Sequence, residues 1–211
     1  MGVLLADDFY CVAYHERTGR SWLQSRVLGL GLAGALLGEL VLFGRVCIDR
    51  GVIAVVDDAP PPDPLVHATL AQVLTFSQHR DVRTWLAFLA RTATDAVAGR
   101  LVEGRVLQRV QHRRFGRRRV SYAPRDVNVV AWRPVRLAGR LTAPDPIEAP
   151  DVVLGGLVGV TGLARVVLWQ PELREAGMAR LSAEVARLHP SLRDLLAHVE
   201  AALGDAVLAP H

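Results

Sequence analysis

Residues 25–44 read Ser-Arg-Val-Leu-Gly-Leu-Gly-Leu-Ala-Gly-Ala-Leu-Leu-Gly-Glu-Leu-Val-Leu-Phe-Gly, and two structures compete for them. Gly29, Gly31 and Gly34 spell GxGxxG, and Asp49 stands twenty residues after Gly29. In a dinucleotide-binding unit such glycines make the tight turn, admit the pyrophosphate and pack helix on strand, while the later acid holds the ribose. That unit needs a strand before the glycines and a parallel strand after a crossover. Only Arg26 to Leu28 precede them, and Val52–Val56 returns too soon after Val46–Asp49 for a crossover. A helix meets no such conflict: Gly31, Gly34 and Gly38 fall at i, i+3 and i+7, a small-residue face that lets another helix approach closely. The stretch is therefore predicted to be a glycine-faced helix from about Ser25 to Phe43. Dinucleotide binding at Gly29–Gly34 is kept only as a minor functional alternative.

Working outward, residues 3–14 read as a short helix. Arg45–Ile48 and Val52–Val56 around Asp49-Arg50-Gly51 read as a hairpin. Asp63-Pro64 supplies an N-cap and a proline at the first helical position. Apolar stripes at helical spacing follow: Val66, Leu70, Val73, Leu74, then Val82, Trp85, Leu86, Leu89, with a third helix over Thr94–Glu103. Val106, Gln108 and Val110 against Val120 and Tyr122 predict a second hairpin with Phe115-Gly116 at its tip. Helix resumes after Pro134, a second glycine-rich helix covers 152–168, and two amphipathic helices carry Met178–Leu188 and Leu192–Leu203. The fold class expected is mainly α: a single-domain helical bundle over residues 1–211 with buried glycine-rich helices and two β-hairpins.

Two apolar stretches have nearly the length of a membrane span. Val27–Gly44 contains only Glu39 as a charge, and Val152–Trp169 only Arg165. A charge near a helix centre costs a few kcal/mol in lipid, so both are expected in a protein core. No signal peptide is expected, because Asp7 and Asp8 interrupt the first apolar stretch. Cys11 and Cys47 lie far apart and suggest neither a disulfide framework nor zinc, which favours a reduced, cytoplasmic setting.

The 211 residues are 51% hydrophobic and carry a formal charge of +4. All 25 basic residues are arginine, which compositional bias towards Ala, Gly, Arg, Val, Leu and Pro explains most simply. Their placement is more informative. Residues 100–125 hold nine arginines against Glu103 alone, a local +8, which leaves −4 on the rest of the chain. Such asymmetry points to an anionic partner. Arg105, Arg109, Arg113, Arg114, Arg117, Arg118 and Arg119 interleave with Phe115 and Tyr122. Guanidinium groups grip phosphate in bidentate fashion and stay charged at any relevant pH.

Catalytic and metal chemistry find little support. His15, His67, His79, His112, His189, His198 and His211 show no HxxxH pair, and no serine sits in a nucleophile elbow. The pairs Asp7-Asp8 and Asp57-Asp58 are adjacent in sequence only, and helix-start or loop solvation accounts for both. No catalytic residues, metal or cofactor are expected, and the chain is taken as a non-enzyme.

The order of features nonetheless resembles a known family. An acidic pair follows Leu4-Leu5; Gly19-Arg20 precedes Trp22; Gly31–Leu40 reads Gly-Leu-x-Gly-x-Leu-Leu-x-Glu-Leu; Gly44-Arg45-Val46 opens a hairpin; and Leu101–Leu107 reads Leu-Val-Glu-Gly-Arg-Val-Leu. This order is similar to the Golgi phosphoprotein 3 family, in its short actinobacterial-type form, over nearly the whole chain and most loosely after residue 125. The resemblance implies a peripheral membrane adaptor that recognises phosphatidylinositol 4-phosphate through one tryptophan and three arginines. Trp22 matches the tryptophan and Arg91 one arginine, whereas the other two positions hold Ala33 and Thr94. Arg26, Arg20 or the hairpin arginines are the candidates to compensate.

The expected function is thus binding of anionic phospholipid headgroups by Trp22, Arg91 and Arg26. The hairpin of about residues 105–122 would meet the membrane surface through Arg109, Arg113, Arg114, Phe115, Arg117, Arg118 and Arg119. Self-association through that hairpin and protein clients of unspecified kind belong to the same picture. Nonspecific nucleic-acid binding through the same arginines is the alternative, and it lacks a helix-turn-helix, a zinc finger or a stacking platform.

Overall fold

The computed structural model describes residues 4–114 and 117–208; Phe115 and Gly116 at the predicted hairpin tip, and the side chains of 112–119 and 207–208, lie outside the description. Helix α1 (Leu5–Ala13) leads through a turn to α2 (Ser25–Leu42), followed by the hairpin β1 (Val46–Asp49) and β2 (Val52–Val55). Next come α3 (Pro64–Thr75), α4 (Val82–Leu89), α5 (Ala93–Glu103) and the second hairpin, β3 (Leu107–Arg114) and β4 (Arg117–Pro124). Then follow α6 (Val127–Thr142), α7 (Ala149–Val160), α8 (Ala164–Val167), α9 (Pro171–Arg187) and α10 (Pro190–Leu208). The protein is mainly α, with two separate two-stranded antiparallel sheets among the described residues.

Helix α2 is the axis of the bundle. It packs against α1, α3, α4, α5, α7 and α10, and every residue from Leu28 to Leu40 is buried. Its length and apolarity would suffice to cross a membrane, yet 72% of it is covered by the protein itself. The glycine face makes that covering possible. A Cβ on Gly29 would stand 2.5 Å from the Ala90 carbonyl oxygen, on Gly31 2.4 Å from the Phe9 ring, and on Gly34 2.7 Å from Val199. Neighbouring helices therefore occupy the volume that a phosphate-binding loop would leave to its ligand, and α2 runs unbroken through Gly29–Gly34. Dinucleotide binding there is excluded.

The turns follow from local chemistry. Arg50 and Gly51 both have positive φ, 50° and 76°, as a two-residue hairpin turn of type I′ requires. The Asp63 carboxylate accepts from the amides of Leu65 and Val66, capping α3 as its sequence predicts.

Two predicted boundaries moved. Helix α6 begins at Val127, before Pro134, because Asp126 caps it and the proline is tolerated inside. The predicted glycine-rich helix 152–168 is two helices. Gly162 at φ 81° turns the chain left-handed, and the Leu163 amide reaches back to the Val158 carbonyl at 2.9 Å, ending α7 in a Schellman closure. The apolar run continues past that point, so hydropathy alone hid the break.

Gly29 and Gly99 provide a contrast in one protein. Gly29→Ala drives a methyl group against backbone and should destabilise by about 1–3 kcal/mol. Gly99, inside α5 with nothing within 4 Å of its missing Cβ, should gain roughly 0.5–1 kcal/mol on substitution by alanine. Urea unfolding of the two variants checks both signs.

Candidate functional site

Two clusters of charge dominate the structure, and one of them is internal. Arg100 on α5 is buried and meets three carboxylates from three other elements. Its Nη1 and Nη2 donate to the two oxygens of Glu39 on α2 at 3.0 and 3.1 Å. Its Nε donates to Asp7 on α1 at 2.8 Å, and Nη1 also reaches Asp63 at the cap of α3 at 3.0 Å. Glu39 accepts a further bond from the Ala6 amide at 2.8 Å. The next residue of α1, Asp8, is fully buried and pairs with Arg133 and Arg136 on α6, and Arg136 bridges on to Asp151 of α7 at 2.6 Å.

Asp7 and Asp8 are therefore not solvated at a helix start, as adjacency suggested. They are interior ion-pair anchors. Asp57, from the other adjacent pair, fits its expected loop role: it pairs with Arg45 and caps the amide of Ala59. Burial pushes the carboxyls of Asp7, Asp8 and Glu39 above the ordinary range, while the neighbouring arginines pull them part of the way back. Burial also drives the Cys11 thiol up to about 12, which leaves it inert. Arg100, counted at sequence level with the basic segment, is spent inside the core, so the outward charge of that segment is smaller by one.

The second cluster faces solvent. A cleft of about 620 Å³ lies between the start of α2, the outer side of α4 and the C-terminal part of α10. Its walls include Ser25, Arg26, Leu30, Arg83, Arg91 and Asp205. Arg83 is paired with Asp205, while among the described residues neither Arg26 nor Arg91 has an acidic group within 4 Å. The N-cap of α2, Gln24, makes no side-chain bond to the first-turn amides, so that helix terminus presents donors beside Arg26. Three guanidinium groups and a helix start in one concavity suit an oxyanion carrying more than one charge.

The structure thus brings two of the sequence-predicted residues, Arg26 and Arg91, into one cleft. Trp22 is half exposed on the turn before α2 and does not line it; its ring leans on His15 at 5.2 Å between centroids. Ala33 is fully buried, seven residues along α2 from Arg26, so no cation enters from that position. Arg83 was missed by sequence reasoning. The signal existed: Arg83, Ala87 and Arg91 fall at i, i+4 and i+8, a basic line with a small residue in its middle that leaves room for a ligand.

The second hairpin forms as predicted in its backbone, with Arg113 opposite Arg118 and Arg114 opposite Arg117. Arg109 is exposed and paired in register with Tyr122. The side chains of Arg113, Arg114, Arg117, Arg118 and Arg119, like Phe115 as a whole, lie outside the described residues. The turn that carries Trp22 packs against this hairpin: the missing Cβ of Gly19 would stand 3.2 Å from the Tyr122 carbonyl oxygen.

The family model for Golgi phosphoprotein 3 matches residues 5–201, from the first residue of α1 into the last helix. The chain belongs to the Golgi phosphoprotein 3 family. Among curated proteins, none matches the chain. Family membership covers both charge clusters, since Asp7, Arg26, Glu39, Arg83, Arg91 and Arg100 all fall within the matched span.

Removing the central cation tests the internal cluster. Arg100→Met strands Glu39 and Asp7 and should cost about 3–5 kcal/mol at neutral pH. With folded-state carboxyl pKa values above the unfolded ones, the folded protein binds more protons, so stability falls as pH rises through that window. The variant should therefore regain part of that stability as the pH is lowered from neutral, as judged by urea unfolding at each pH.

Proposed function

We propose that this Golgi phosphoprotein 3 family member is a peripheral, non-enzymatic membrane adaptor that binds anionic phospholipid headgroups in the Arg26–Arg83–Arg91 cleft. One observation carries the proposal: three arginines, from α2, α4 and the turn after α4, converge on a concavity large enough for a phosphorylated inositol ring, and two of them have no acidic partner among the described residues. Phosphatidylinositol 4-phosphate is the headgroup that the family resemblance implies. Arg26 and Arg83 would stand in for the arginines absent at Ala33 and Thr94, which makes the contact geometry this chain's own. Trp22 would meet the lipid from the rim, next to the bilayer surface rather than inside the cleft.

The basic hairpin adds a second contact. Each arginine near an acidic surface contributes roughly 1 kcal/mol of attraction. This term is sensitive to salt and indifferent to the lipid species, so selectivity would rest with the cleft and avidity with the hairpin. The turn 14–24 links the two contacts along the chain, since it packs on the hairpin at Gly19 and runs directly into Ser25. Nucleic acid could use the hairpin arginines but would have no use for a solvent-facing hollow of headgroup size.

Sedimentation with vesicles of phosphatidylcholine alone, with phosphatidylserine, and with phosphatidylinositol 4-phosphate separates the contacts. Arg91→Ala should weaken binding to the phosphoinositide vesicles about tenfold or more, since hydrogen bonds to charged groups contribute roughly 1.5–3 kcal/mol. Arg117→Ala, Arg118→Ala and Arg119→Ala together should lower recovery on every acidic vesicle. Equal recovery on neutral and acidic vesicles at low salt would overturn the proposal.

A further inference from the structure

On the other flank of α4 lies an apolar groove of about 210 Å³, lined by Phe76, His79, Thr84, Trp85 and Phe88. Two of its aromatic rings are far more exposed than a core would leave them: Phe76 at 42% and Phe88 at 43%. The rings form one connected cluster. Phe88 stands edge-on to Trp85 at 5.6 Å and tilted against Phe76 at 6.3 Å. Trp85 is buried beneath them, and its indole Nε1 donates to the His79 carbonyl at 2.7 Å. The groove's one indole donor is thereby satisfied from within, and a ligand there would be received by hydrocarbon.

Position gives this groove its meaning. Arg83 and Ala87 of α4, with Arg91 in the turn after it, line the arginine cleft, and the adjacent pair Thr84 and Phe88 lines the groove. The helix is a ridge with a cationic hollow on one flank and an aromatic hollow on the other. The segment 76–92 that builds the ridge is itself basic: Arg80, Arg83 and Arg91 outnumber Asp81, whose carboxylate is engaged on the Thr84 amide and hydroxyl. A surface offering negative charge and hydrocarbon within one helix diameter complements both flanks. A phospholipid bilayer is such a surface, whereas a protein partner would have to supply an acidic rim around an apolar plug.

We propose that Phe76 and Phe88 enter the acyl region of an anionic bilayer beside the lipid whose headgroup fills the cleft, so that α4 is an insertion ridge for the membrane. The inference rests on the headgroup reading of the cleft. It divides the work: the cleft selects the headgroup, and the aromatic pair slows release by burying in the bilayer apolar area that is now in water.

A paired measurement keeps the two readings distinguishable. Phe76→Ser and Phe88→Ser together should leave calorimetric binding of soluble inositol 1,4-bisphosphate unchanged. The same variant should bind phosphatidylcholine vesicles containing phosphatidylinositol 4-phosphate about tenfold more weakly. In the Phe88→Trp protein, vesicles with brominated acyl chains should quench emission beyond that of the wild type, and recovery on vesicles should equal that of the wild type. Unchanged vesicle affinity in the double variant, or no added quenching in Phe88→Trp, would overturn the insertion ridge while leaving the cleft standing. Failure of the soluble headgroup to bind the wild type would instead remove the cleft reading. A concentration-dependent dimer that disappears in the double variant would assign the groove to a second copy and overturn the proposal.

Discussion

Arg100 meets Glu39, Asp7 and Asp63 through all three of its nitrogens, and these partners belong to α2, α1 and the cap of α3. A guanidinium is planar and its donors diverge in fixed directions, so four elements must arrive at set positions for every bond to be made. The neighbouring Asp8 repeats the device with Arg133 and Arg136 and draws in α6 and α7. Buried ion pairs contribute little net stability compared with hydrocarbon of the same shape, but an incomplete one is expensive. Their value here is to penalise every arrangement of these largely apolar helices other than the native one. Without them, the glycine-faced α2 could slide or rotate among near-equivalent apolar packings.

Close packing on that fixed axis then shapes the surface. Gly29 lets the Ala90 carbonyl approach α2 directly, so the end of α4 lies against the start of α2. Arg26 at that start and Arg91 just after that end are brought to one cleft by this contact. A residue with a side chain at position 29 would hold the two helices apart and widen the space between the cations. The cleft is thus assembled by core geometry, through a glycine that does not line it.

The protein's charge is therefore divided into two functions by burial. Interior arginines are neutralised by carboxylates in fixed geometry; Arg26 and Arg91 of the cleft and Arg109 of the hairpin are exposed to solvent. The positions at which the family resemblance expects arginine hold Ala33 on α2 and Thr94 on α5, while the cations of the cleft stand on α2, on α4 and in the turn after α4.

Much of the fold was legible in the sequence. Gly31, Gly34 and Gly38 announced a close-packed helix, Asp63-Pro64 marked a helix start, and the alternating residues around Arg50-Gly51 and residues 115–116 marked two hairpins, because these signals act within one element or turn. The order of motifs also carried the family. The break at Gly162 and the helix running through Pro134 were not legible, since each depends on what surrounds the backbone rather than on hydropathy. Nor was the burial of Asp7, Asp8 and Arg100. An ionisable residue looks the same in sequence whether solvated or paired, and its partners lie 37 to 128 positions away. Arg83 joined the candidate site for the same reason. Local propensity and periodicity determined which elements form; only the tertiary structure decided which charges face inward, because that depends on desolvation and on partners supplied by distant helices.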